Sequence, residues 1–106
     1  MRLTIVVVDD SAGKDELFYN NLNLSTCGIP SNVWALQWDN TSGHIEYKEV
    51  TTQNEDITEL PAWAEAAHTL WQNAHTAKLA ADEAQRLADE ESDRLFAENQ
   101  QAGGLQ

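Results

Sequence analysis

The most constraining feature of this chain is a long stretch without helix breakers: from Ala62 to Ala102 there is neither glycine nor proline, and alanine recurs throughout. Alanine is the best helix former, while glycine and proline are the residues that interrupt helices. Periodicity points the same way. From Trp63 the apolar positions step by four and three through Ala67, Leu70, Ala74, Ala77, Ala81, Ala84 and Ala88; the next step lands on Glu91 and the one after on Leu95. This is a heptad-like seam with a period of about 3.5 residues. Lys78 with Asp82, Asp82 with Arg86 and Glu90 with Arg94 are charge pairs four residues apart, so the other face reads as solvated. The helix is expected over 58–102, starting between Thr58 and Pro61, because a proline's missing N–H has no partner in a first turn. Glu59 and Glu65 suit the positive end of the helix dipole. Residues 103–106 are expected to end the helix and fray.

The half before it is built differently. Residues 1–50 hold nearly all the β-branched and turn residues and read as a β-domain of four strands, over 3–8, 17–24, 33–38 and 44–50. Residues 9–15 read as a turn and 26–32 as a loop. Asp39-Asn40-Thr41-Ser42-Gly43 reads as a hairpin connection ending in a glycine free to take positive φ. Period-two alternation puts Trp34, Leu36 and Trp38 on one face, and Ile45 with Tyr47 on one face of the next strand. The sheet therefore has an apolar face that needs a cover, and the helical half supplies part of it. Residues 51–57 are polar and read as a linker. The expected fold class is α+β: a small antiparallel sheet of about four strands, then one long C-terminal α-helix. The bulky early part of the seam, Trp63 and Leu70 with neighbouring Trp71, is expected to pack on the sheet. The later alanine part buries little area per residue and can hold a partner only through close backbone approach.

At 106 residues the chain is long enough for one domain of ordinary size. Six basic side chains against 18 acidic ones give a net charge of −12. Such a surface repels phosphate backbones and anionic lipid, so neither nucleic acid nor a membrane surface is an expected partner. The single cysteine, Cys27, cannot form an internal disulfide and fits a reducing compartment. The apolar N-terminal run stops at Asp9-Asp10, too short for a signal peptide, and no run approaches the roughly 18 apolar residues of a membrane span. A cytoplasmic protein is expected.

Chemistry-bearing patterns are sparse. His68 and His75 lie two helical turns apart with Glu65 near His68, but a metal site needs three or four converging ligands; they read as two half-exposed histidines beside a packed stripe. Asp9-Asp10 follows a strand as acidic pairs do in phosphoryl-transfer folds, yet no crossover helix lies between the first strands, and a solvated turn is the simpler reading. Cys27 with distant His44 is the only nucleophile pair to weigh, and Cys27 reads better as a half-buried loop thiol. No phosphate-binding glycine pattern or nucleophile elbow occurs. No catalytic residue, metal or cofactor is assigned, and the chain is not expected to be an enzyme.

Four tryptophans in a chain of this length instead suggest packing or protein contact. Trp38 and Trp63 read as core; Trp34 and Trp71 stay open between core and partner anchor. The candidate partner-binding set is Trp34, Trp38, Trp63, Leu70, Trp71, Ala74, Ala77, Ala81, Ala84 and Ala88.

Two segments carry a family likeness. Ile29-Pro30-Ser31-Asn32-Val33-Trp34-Ala35-Leu36-Gln37-Trp38, followed by Gly43-His44-Ile45-Glu46-Tyr47, resembles a segment of the small tail-fibre assembly proteins of bacteriophages, also called phage tail assembly chaperones. Ile57-Thr58-Glu59-Leu60-Pro61-Ala62-Trp63, with Trp71 downstream, is similar to the segment that follows in that family. Together they span roughly residues 29–71. The resemblance implies a helper that binds a trimeric tail-fibre protein in the host cytoplasm and assists its folding, trimerisation or attachment. In some phages such a helper stays on the virion. The alternative is a structural component of the tail or baseplate, with the helix self-associating or docking in a bundle.

Overall fold

β1 (Arg2–Val6) runs through the middle of an antiparallel sheet, flanked by β2 (Ser11–Lys14) and β4 (Val33–Asp39). The computed structural model describes the backbone of residues 1–104 and the side chains of residues 1–97. β3 (Leu17–Tyr19) pairs with β2 at one edge; β5 (Ser42–Tyr47) and β6 (Glu55–Ile57) complete the other side, in the order β3-β2-β1-β4-β5-β6. Helix α1 (Ala62–Gly104) follows. The fold is α+β, as the sequence implied, with six strands among the described residues and not four.

The two additional strands come from segments that look like connections. Residues 11–14 were expected in a turn and form β2. The reversal is two residues long: Asp15 and Glu16 take positive φ of 50° and 75°, and Lys14 pairs with Leu17 across it. Such a turn favours asparagine and glycine. Here Arg2 holds Asp15 in place, its N–H donating to Asp15 Oδ1 at 2.9 Å while its carbonyl accepts from the Asp15 N–H at 2.8 Å. The strand expected over 17–24 therefore ends at Tyr19. Leu22 and Leu24 lie beyond it, buried in the core from a loop and a 3₁₀ turn. Within the expected linker over 51–57, Glu55, Asp56 and Ile57 pair with Ile45, His44 and Gly43.

Gly43 has a different role from the expected one. The turn between β4 and β5 is Asn40-Thr41, and Asn40 carries the positive φ of 55°. Gly43 sits inside β5 opposite Trp38, where a Cβ would lie 2.1 Å from the Gln37 carbonyl oxygen. Close backbone approach, not turn geometry, requires glycine there.

Register places Leu3, Ile5, Ala12, Leu36, Trp38 and Ile45 on one face, and all belong to a single buried cluster with Val33, Leu22, Leu24, Ala64, Ala67 and Trp71. The opposite face carries Thr4, Gln37 and His44 in neighbouring strands. Thr4 Oγ1 donates to Gln37 Oε1 at 2.9 Å. On that face the Phe18 ring lies over Gly13, filling the space a side chain would take.

The chain divides into two compact units, Met1–His75 and the remainder from Thr76 onward. The first contains the sheet and the start of α1, which begins at Ala62, one residue past the expected start between Thr58 and Pro61. Its stripe is also rotated from the expected one. The buried positions are Ala64, Ala67 and Trp71, while Trp63, Leu70 and Ala74 are half-buried at its margin. In the second unit the described side chains, 76–97, are exposed throughout. Gly103 and Gly104 are helical; of the expected frayed tail, Leu105 and Gln106 lie outside the described residues.

Candidate functional site

The ten candidate partner-binding residues fall into three groups. Trp38 and Trp71, 7% and 6% exposed, belong to the core. Trp63, Leu70 and Ala74 are half-buried and packed against that core. Trp34, Ala77, Ala81, Ala84 and Ala88 are exposed. The first five are brought together in one cluster within the first unit, as packing residues of the domain itself.

Trp71 shows how the packed group is held. Its indole N–H donates to the Leu17 carbonyl oxygen at 2.9 Å. Tyr19 meets its ring edge-on at 5.7 Å, His75 stacks on it at 4.9 Å, and the Lys14 ammonium lies 5.4 Å from its centroid. The Tyr19 hydroxyl and His75 Nδ1 share a hydrogen bond of 2.7 Å. His68, 6.3 Å from the Trp71 ring, has its Nε2 sealed from solvent without a partner among the described residues. Burial, and then the Lys14 charge, lower its pKa from the ordinary 6.5. The two histidines flank the packed stripe, as their spacing implied. Among the described residues no three of His, Cys, Asp and Glu converge as a metal site would require.

Trp34 is exposed for a local reason. Val33 pairs with Tyr47 but Ala35 pairs with Glu46, one step along, so β4 has one residue too many at this point. This bulge leaves Trp34 without a partner and turns Val33 inward in its place. Val33 is 1% exposed and Trp34 45%. The expected shared face of Trp34, Leu36 and Trp38 is therefore broken at Trp34. Beside it runs a groove of about 410 Å³ lined by Trp34, Glu46, Tyr47, Lys48, Glu49, Val50, Thr52 and Asn54. Val50 is almost free of contact, 98% exposed. The Tyr47 phenol has its pKa raised, by burial first and then by the nearby Glu55 carboxylate. Sequence reading kept Trp34 open as a partner anchor but missed the groove beside it, because the strand expected over 44–50 put Val50 in the sheet, whereas β5 ends at Tyr47.

The second surface is the helix beyond Thr76. At 100° per residue Ala77, Ala81, Ala84, Ala88 and Leu95 share one side. Exposed Leu87 borders it. Most of the ion-paired side chains lie away from it, although Glu91 falls on that side itself, between Ala88 and Leu95. Lys78 meets Asp82 at 2.6 Å, Arg86 meets Glu83 at 2.6 Å and Glu90 at 2.7 Å, and Arg94 approaches Glu91 at 3.9 Å. Arg86 thus pairs with Glu83 and Glu90, where the sequence spacing suggested Asp82, and Arg94 pairs with Glu91, not Glu90. The Arg86 hydrogen bond holds the Glu83 carboxyl below its ordinary pKa. Among the described residues no helix is long and apolar enough to cross a membrane.

Comparison with family models, curated proteins and solved structures finds no match to this chain. What the geometry defines is an α+β domain bearing an exposed aromatic groove, and a helix with an exposed apolar side.

Proposed function

We propose that this chain is a tail-fibre assembly chaperone of a bacteriophage, a non-enzymatic protein that binds the fibre polypeptide and assists its folding, trimerisation or attachment. The observation that carries the reading is the exposed side of the helix: Ala77, Ala81, Ala84 and Ala88 present an apolar stripe, interrupted at Glu91 and resumed at Leu95, backed by charged residues. An unassembled trimeric fibre exposes apolar surface and strand edges that aggregate. A helix of this kind can cover such surface while its acidic side keeps the complex soluble. The segments that resemble the chaperone family lie mainly in the β4–β5 hairpin and at the start of α1, both within the first unit. The host cytoplasm is the proposed compartment.

Co-expression with a tail-fibre protein, if one is encoded beside this chain, tests the reading. The fibre should be soluble and co-elute with this chain, and should be largely insoluble alone. Ala81→Glu with Ala88→Glu should abolish co-elution without unfolding the β-domain. A fibre that folds and trimerises normally without the chain would sink the proposal. The same exposed stripe also suits a structural tail component, with the helix docked in a bundle or against a second copy; stoichiometric presence in purified particles would favour that reading.

A further inference from the structure

The groove beside Trp34 has a more specific chemistry than apolar contact. Three of its lining side chains, Trp34, Tyr47 and Val50, are aromatic or aliphatic, and two, Glu46 and Glu49, are carboxylates. The Glu55 carboxylate lies near Tyr47 as well. Lys48 is the one cationic side chain in the lining. The chain as a whole is at −12. An exposed indole face is electron-rich and attracts a cation, most strongly from arginine, whose planar group can stack on it while its N–H donors reach a carboxylate. The β4 bulge turns this indole outward, and bulges are structural devices that re-aim side chains.

We propose that the Trp34 groove is a recognition site for an arginine-bearing segment of a partner polypeptide, with the guanidinium laid against the Trp34 ring and offered to Glu46 and Glu49. The inference rests on the reading of this chain as a protein that grips another polypeptide, and specifies what one of its surfaces grips. Charge complementarity selects the occupant. A second copy of this chain would bring another strongly acidic surface, and an acidic peptide would meet carboxylates it cannot pair.

The test follows the Trp34 indole N–H and the Glu46 and Glu49 amide resonances while tri-arginine, and separately tri-glutamate, is titrated into the full chain. Tri-arginine should shift all three together and saturably, tri-glutamate none, and added salt should weaken the binding. Trp34→Leu, and the double change Glu46→Gln with Glu49→Gln, should each weaken tri-arginine binding by roughly three- to tenfold, whereas Trp34→Phe should restore part of the loss. An unchanged denaturation midpoint will show that each variant is folded. Shifts spread over acidic positions 82–93 with Trp34 unmoved, or undiminished binding by Trp34→Leu, would overturn the site. Fibre retained by Trp34→Leu as strongly as by the unaltered chain would overturn it too, while leaving fibre binding intact. Fibre not retained by the unaltered chain would count against the fibre reading alone, and the tri-arginine result would then decide the groove.

Discussion

Trp71 donates its indole N–H to the carbonyl of Leu17, across 2.9 Å and 54 positions of sequence, and so fastens the start of α1 to edge strand β3. That carbonyl lies on the outer strand of the sheet, where backbone groups lack a further strand to pair with. Replacing Trp71 by Phe keeps an aromatic ring against Tyr19 and His75 but leaves the Leu17 carbonyl without this donor. A loss of about 1–2 kcal/mol in unfolding free energy is expected, measured by urea titration. Trp71→Ala removes the ring as well and should cost about 3–5 kcal/mol. Equal stability of the Phe variant and the unaltered chain would show that the bond contributes nothing.

The same cluster makes stability depend on pH through His68. Burial and the Lys14 ammonium lower its pKa in the folded chain below the ordinary 6.5. The unfolded chain therefore takes up this proton more readily than the folded one, and stability rises with pH wherever the unfolded state binds more protons. The contribution is complete above the ordinary pKa and falls as pH drops below it, levelling off below the depressed folded value. Urea midpoints measured between pH 7.5 and 5 should decline more steeply for the unaltered chain than for His68→Gln. Parallel declines in the two proteins would remove His68 as the cause.

The parts of the fold legible in the sequence are those where local pattern and tertiary environment agree. Period-two alternation through Trp34, Leu36 and Trp38, with a turn after it, identified the β4–β5 hairpin, although the bulge takes Trp34 off the shared face. The glycine-free run identified α1 as helix, although the buried stripe is shifted from Trp63 and Leu70 toward Ala64 and Trp71, because the buried cluster takes in Ala64, which lies off the four-and-three seam. The β2–β3 hairpin was not legible. Ser11, Ala12, Gly13 and Lys14 have little strand preference, and Asp15-Glu16 is not a favoured pair for its turn; the Arg2 backbone and the Phe18 ring over Gly13 compensate from elsewhere in the fold. β6 was hidden for a similar reason, as three residues read as polar linker that pair only because β5 offers an edge. Of the candidate binding residues, pattern marked the alanine stripe, but it could not reveal that a one-residue bulge separates Trp34 from Trp38.

Gly43 gives the sharpest test of the packing between β4 and β5. A Cβ added there would lie 2.1 Å from the Gln37 carbonyl oxygen and 2.9 Å from the Trp38 Cα, and both obstacles are backbone. Flexible side chains can move aside, whereas paired strands can relax only by distorting their ladder. Gly43→Ala should destabilise the chain by about 2 kcal/mol or more and broaden the amide resonances of 36–45. A Gly28→Ala change meets a different obstacle. It has open space around it but sits at a φ of 77°, so its penalty is conformational, about 1 kcal/mol. If the two variants proved equally stable, close approach would not be the reason for glycine at 43.

Val33 and Trp34 are neighbours with opposite environments, and the bulge between β4 and β5 predicts that their substitutions will behave contrary to residue size. Truncating tryptophan to alanine usually does more damage than truncating valine, because more buried area is lost. Here Val33 is fully enclosed, while Trp34 keeps 45% of its surface in water. Val33→Ala should therefore cost about 2 kcal/mol by opening a cavity under the sheet, and Trp34→Ala should lie within about 1 kcal/mol of the unaltered chain. Partner binding should show the reverse order: Trp34→Ala lowers affinity, and Val33→Ala, once folded, leaves it unchanged. Urea denaturation read beside co-elution with the proposed fibre partner separates the two effects. A Trp34→Ala chain that unfolds as readily as Val33→Ala would mean that the ring supports the sheet, and its exposure would then not mark a surface for binding.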